Sequence, residues 1–116
     1  MIRSILSGMA LSLITFSTAL ADCGEAPTPS FTIPSGETAS ASEIRTIRDD
    51  VLKYSEKVDT YLTCMDQQGL KLLPWMDQEQ RARREEDLSS LHNKRRDIQV
   101  ALNDAIRTYR TRQQSS

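Results

Sequence analysis

Residues 40–65 read SASEIRTIRDDVLKYSEKVDTYLTCM, and the spacing of their apolar positions decides the fold. Ser40-Ala41-Ser42-Glu43 has the Ser-x-x-Glu form of a capping box, which starts a helix by satisfying its first free amides. Apolar or aromatic side chains then fall at Ile44, Ile47, Val51, Tyr54, Val58, Tyr61 and Met65, with alternating steps of three and four. That period draws a single stripe along a helix that packs on another helix. Leu62 widens the stripe. Gly69 is a natural stop, giving a helix over about 41–69; alternatively the helix runs to Leu73 before Pro74 stops it.

The same rhythm returns downstream. Asp77 and Gln80 can cap a second helix over about 78–112. Its seam begins late, at Leu88, Leu91, Arg95, Ile98, Leu102, Ala105 and Tyr109, and Ile106 widens it. Both seams have one length. Folded back about a tip at 70–77, Met65 meets Leu88 and Ile44 meets Tyr109. The expected fold is all-α, an antiparallel two-helix hairpin of coiled-coil character. Arg95 interrupts the second seam near Val58, where its guanidinium can snorkel to Glu56 or Asp59. Residues 113–116 read as a disordered tail.

Upstream lies a different composition. Residues 22–39 hold Pro27, Pro29 and Pro34 with Gly24 and Gly36, which exclude a helix and favour an extended path. Phe31 and Ile33 are out of place in an exposed linker, so the reading packs them in the groove between the helices. Cys23 and Cys64 are the only cysteines. A disulfide between them would close a long loop and stabilise by roughly 4 kcal/mol on the chain-entropy view. It is also within reach. Cys64 stands about 36 Å along the helix from residue 40, and an extended arm from 23 to 40 covers about 50 Å.

The first 21 residues read as an export signal. Arg3 supplies the positive end, Ile5 to Ala19 the apolar run, and Ala19-Leu20-Ala21 the small-x-small site cut after Ala21. A membrane span needs roughly 20 mostly apolar residues, and this run is shorter and diluted by Ser7, Ser12, Thr15, Ser17 and Thr18. Asp22 directly before Cys23 argues against a lipoprotein. The expected location is periplasmic, with membrane association only if the signal is retained. Export to an oxidising compartment favours the disulfide.

Charge and chemistry narrow the function classes. Asp22 to Asp77 carries ten acidic and five basic residues, whereas Gln78 to Ser116 carries six acidic and nine basic. The arginines alternate with Glu85, Glu86, Asp87, Asp97 and Asp104, which favours solvated faces over an anionic partner; a nucleic-acid partner is not expected. Arg81, Arg83, Arg84, Lys94 and Arg96 remain the candidates if such a partner exists. His92, the single histidine, falls on the polar side of its seam. No nucleophile elbow, phosphate loop or metal-ligand spacing is present, so neither catalysis, metal nor cofactor is expected. Asp49-Asp50 and Glu85-Glu86-Asp87 point about 100° apart on a helix and read as solvated.

The tip is the exception to ordinary turn chemistry. Leu70, Leu72, Leu73, Trp75 and Met76 crowd where polar residues are normal. One reading is a partner contact through Leu72, Leu73, Trp75 and Met76. The favoured reading is a local cap, with Trp75 folded over the hairpin end and against the disulfide.

Cys23 soon after the signal, the prolines at 27, 29 and 34 with Gly36, and Tyr61-Leu62-Thr63-Cys64-Met65-Asp66 within a helix resemble a group of small exported proteobacterial proteins. The likeness covers residues 1 to about 66 and loosens in the second helix. It implies a periplasmic helical hairpin and brings no activity with it. The Leu-Leu-Pro-Trp tip and the arginine-dense second helix depart from that group. The function expected is binding or scaffolding through a hairpin surface, by an unknown protein partner or by self-association. The alternative is an adaptor for anionic envelope polymers or lipids.

Overall fold

A computed structural model describes residues 23–115. The expected export signal and its cut after Ala21 lie outside the described residues. Two long helices make up nearly all of the rest: α1 over Ala41–Leu72 and α2 over Gln78–Gln114, joined by a single 3-10 turn over Leu73–Trp75. Among the described residues there is no strand.

The helix starts are built as the sequence dictates. Ser40 Oγ accepts from the Glu43 amide at 3.1 Å. Asp77 forms a full reciprocal box, its carboxylate accepting from the Gln80 amide at 2.8 Å while the Gln80 side chain accepts from the Asp77 amide at 3.0 Å. Each such cap satisfies amides that would otherwise lack partners and contributes about 1 kcal/mol.

α1 ends at the later of its two expected stops, and α2 runs further than expected. α1 passes through Gly69 and continues to Leu72. Gly69 is buried, and a Cβ there would lie 2.5 Å from the Arg84 guanidinium. The glycine thus serves a close contact between helices and is no stop signal. The α-helix ends where Pro74 lacks an amide to donate back to Leu70, and the chain tightens into the 3-10 turn. α2 runs to Gln114, so Gln113 and Gln114 are helical and not part of a disordered tail. The reason is Arg112, whose guanidinium donates to the carbonyls of Glu37 and Ala39 and so fixes the last turns.

Cross-helix contacts fix how the helices lie. Arg95 pairs with Asp59, Gln99 donates to Ser55 Oγ at 3.2 Å, and Arg84 donates to the Met65 carbonyl. Position numbers therefore rise along α1 as they fall along α2. Arg95 meets one of the two carboxylates that the seam register offers it.

The core forms two clusters. Tyr54, Val58, Leu62 and Leu91 make one; Ile47, Val51 and Leu102 make the other. Phe31 packs on both, and Ile33 packs on the second. Phe31 meets Tyr54 edge to face with ring centres 5.8 Å apart, a geometry that adds about 1 kcal/mol to simple burial. The Cys23–Cys64 disulfide, with Cα atoms 5.6 Å apart, ties down the start of the segment that carries Phe31. Gly36 lies so close to α2 that a Cβ would run into the Ala105 carbonyl oxygen.

Candidate partner surface at the tip

The two seams do not stay face to face along their whole length. On α1, Ile44, Ile47, Val51, Tyr54 and Val58 are buried as the heptad spacing predicts. Beyond Val58 the buried positions become Leu62 and Gly69, while Tyr61 and Met65 are only half-buried. A straight α-helix drifts about 20° per heptad against a strict seven-residue repeat. After two to three heptads that drift turns Tyr61 and Met65 out of the contact. The partner helix reinforces the effect, because residues 78–87 of α2 hold no large apolar side chain to meet them.

The result is a groove of about 730 Å³ on the side where the N-terminal segment runs. Tyr61, Met65, Leu72, Met76, Leu88 and Leu91 form its apolar floor, and Gln80, Arg83 and Asp87 stand on its α2 rim. Ala26 closes the end nearest the disulfide. On the opposite side a second groove of about 840 Å³ exposes Leu70, Leu73 and Leu88. Nearer the chain ends, Phe31 and Ile33 fill the corresponding space. The molecule thus has a base half, with a third layer, and a tip half without one.

The tip itself is open to solvent. Trp75 is 85% exposed and Leu70 is 80% exposed. The local cap is therefore corrected: Trp75 does not fold against the disulfide. Position 75 stands about 16 Å along the chain axis from Cys64 at helical rise, beyond the reach of an indole. Leu73 is also exposed, while Leu72 and Met76 are half-buried along the groove. What holds this exposed turn in shape is Arg81, which donates from Nη2 to the Leu73 carbonyl at 2.6 Å and from Nε to the Met76 carbonyl at 3.2 Å.

The basic candidates separate into different environments. Arg81 ties the tip turn, and Arg84 lies over Gly69 on the Met65 carbonyl. Arg83 pairs with Glu79 at 3.0 Å in an exposed i,i+4 bridge, and Arg96 stands 3.8 Å from Asp97. Of the five, Lys94 alone makes no bond or ion pair among the described residues. At 100° per residue Arg83 and Lys94 share one face of α2, about three turns apart, while Arg81, Arg84 and Arg96 lie on the other side.

Other chemistry-bearing residues are ordinary by position. His92, Asp49, Glu85, Glu86 and Asp87 are exposed, and Asp50 is half-buried. Among the described residues no three His, Cys, Asp or Glu side chains gather into a metal-binding group, and no helix is long and apolar enough to cross a membrane. The Tyr54 hydroxyl is buried without a partner. Burial pushes its pKa above the ordinary 10.0, and the Arg95 charge pulls it part of the way back.

Two features escaped sequence reasoning. The Arg112 link to the segment before α1 joins residues 73 and 75 positions apart, and nothing local marks it. The rotation of Tyr61 and Met65 into a groove was readable from the late start of the α2 seam. Comparison with family models, with curated proteins and with solved structures gives no match.

Proposed function

We propose that this chain is a non-enzymatic periplasmic protein that binds or scaffolds a protein partner through the tip of an antiparallel, coiled-coil-like hairpin. The extended Pro-rich arm, held by the disulfide and by Arg112, stiffens the base half and leaves the tip half to dock. The observation that carries this reading is Trp75, 85% exposed in the turn beside Met76, which lines an open apolar groove. A large aromatic on such an edge is costly to leave in water and is typical of interface anchors. Leu72, Leu73 and Met76 supply the neighbouring contacts. The likeness to small exported proteobacterial proteins and the Cys23–Cys64 bridge are consistent with export.

An adaptor for anionic polymers or lipids draws less support. Arg81 and Arg84 are engaged inside the chain, and of the remaining candidates Arg96 stands on a different face of α2 from Arg83 and Lys94. The deciding experiment is capture from the native envelope with wild type and Trp75→Ala in parallel. A specific partner retained by wild type and lost by the variant is the expected result; identical capture by both overturns the tip reading.

A further inference from the structure

Resting on the reading of the tip as a docking surface, we propose that the occupant of the front groove is the tip half of a second copy of this chain, related by a two-fold axis. Two observations with separate origins converge on it. The first is charge. Arg83 and Asp87 both stand on the α2 rim of the groove, four positions apart and opposite in sign. Across a two-fold axis crossing α2 at Glu85, Arg83 of each copy meets Asp87 of the other. An isologous interface demands this self-complementarity, since every contact occurs twice with roles exchanged. Arg83 is available for it, because its own pair with Glu79 is solvent-exposed on both sides and such pairs are weak.

The second observation is the extent of the apolar floor. It runs on α1 from Tyr61 to Met76 at the turn, with its midpoint next to Gly69. The contacts of Asp59 with Arg95 and of Ser55 with Gln99 set the relative level of the two helices. Carried toward the tip, they put Glu85 level with Gly69. The charge midpoint and the apolar midpoint are therefore one height on the molecule.

Placed about that height, the copies fill each other's groove. Leu72 and Met76 of one, which line its groove, fall level with positions 66 and 62 of the other and so bracket its Met65. Trp75 falls level with Thr63, beside the disulfide where the partner's arm begins. The four helix segments then form a short bundle. The second copy supplies in the tip half the third layer that Phe31 and Ile33 supply in the base half. The arm-covered base halves project from opposite ends.

The test is sedimentation equilibrium of the exported protein with its disulfide intact, for wild type, Arg83→Asp, Asp87→Arg and an equimolar mixture of the two variants. Wild type is expected as a dimer. Each single variant sets like charges together twice and weakens dimerisation on the order of tenfold or more. In the mixture, the Arg83→Asp chain is acidic at both rim positions and the Asp87→Arg chain is basic at both. Opposite charges then meet at each crossing, so a heterodimer of near wild-type affinity returns. Circular dichroism spectra of both variants should show the same helix content as wild type, since both positions are exposed.

A wild type that stays monomeric to its highest soluble concentration overturns the proposal. So does a dimer that neither variant weakens, because it then forms through another surface. Mixing without recovery overturns the register. A monomer that still loses an envelope partner on Trp75→Ala removes self-association and leaves the tip reading intact.

Discussion

The base and tip halves are made of the same two helices, yet only one of them has a finished core. In the base half, Ile47, Val51, Tyr54 and Val58 of α1 meet Ile98, Leu102 and Ile106 of α2 beneath Phe31 and Ile33. Val58 has no exposed surface at all. In the tip half, Tyr61, Met65 and Leu72 face Gln80, Arg83 and Asp87. Two helices cannot enclose a side chain between them on both sides, and a third element decides whether burial is complete. Here that element is the short segment 23–39, and where it ends, at Ala26, the front groove begins.

The largest effect expected from breaking this contrast comes from the disulfide. Cys23→Ala with Cys64→Ala should lower stability by about 3–4 kcal/mol. Amide exchange should accelerate first in the arm and the base half, and far less at residues 70–91. Uniform acceleration along both helices would show that the arm does not govern the base half separately. Urea unfolding with exchange mass spectrometry reads both quantities.

Two aromatic truncations come next and should differ sharply. Phe31→Ala removes the ring that both clusters share and should cost about 3 kcal/mol. Trp75→Ala, at a solvated position, should change the stability of the isolated chain by less than about 0.5 kcal/mol. Chemical denaturation of both variants at low protein concentration makes the comparison; equal losses would erase the distinction between halves.

The two buried glycines sharpen it further. Gly36→Ala drives a Cβ into the Ala105 carbonyl, a backbone group that cannot yield, and should cost about 2 kcal/mol as the arm lifts. Gly69→Ala meets only the end of the Arg84 side chain. The gain of about 1 kcal/mol in helix propensity offsets that displacement, so its melting temperature should stay near wild type.

The smallest effect concerns Tyr54. Its hydroxyl is buried without a partner, so Tyr54→Phe should stabilise by about 1 kcal/mol. The pKa sign gives a second readout. The folded-state value lies above the ordinary 10.0, so the unfolded chain ionises first as pH rises. Stability from this group is complete below about pH 10 and declines above it. A pH series of denaturant midpoints should show a shallower alkaline decline in Tyr54→Phe.

Much of the base half was legible because its signals are local and repeated. Ser40 and Asp77 cap their helices with their own side chains, and the three-four spacing marks Ile44 to Val58 without ambiguity. Phe31 and Ile33 stood out as apolar residues in polar surroundings. Arg95 found Asp59 because register alone limits its choices. The tip half was harder for a physical reason. Its shape follows from a small angular drift accumulated over several turns, and a linear pattern of sevens conceals such drift. Gly69 read as a stop because the arginine that lies over it comes from another helix. Trp75 read as a cap because apolar residues are ordinarily hidden; the roughly 16 Å of helical rise between Cys64 and position 75 keeps its indole from the disulfide.

The position of that disulfide also determines how the molecule carries force. A pull on the chain at Cys23, resisted by a partner gripping the tip, passes straight through the sulfurs into Cys64 and on to residues 65–76. Residues 24–63 lie on a covalent bypass and bear none of the tension. The best-packed part of the protein is mechanically idle, and the load falls on the last turns of α1, bonded to α2 by Arg84, and on the tip turn, bonded by Arg81.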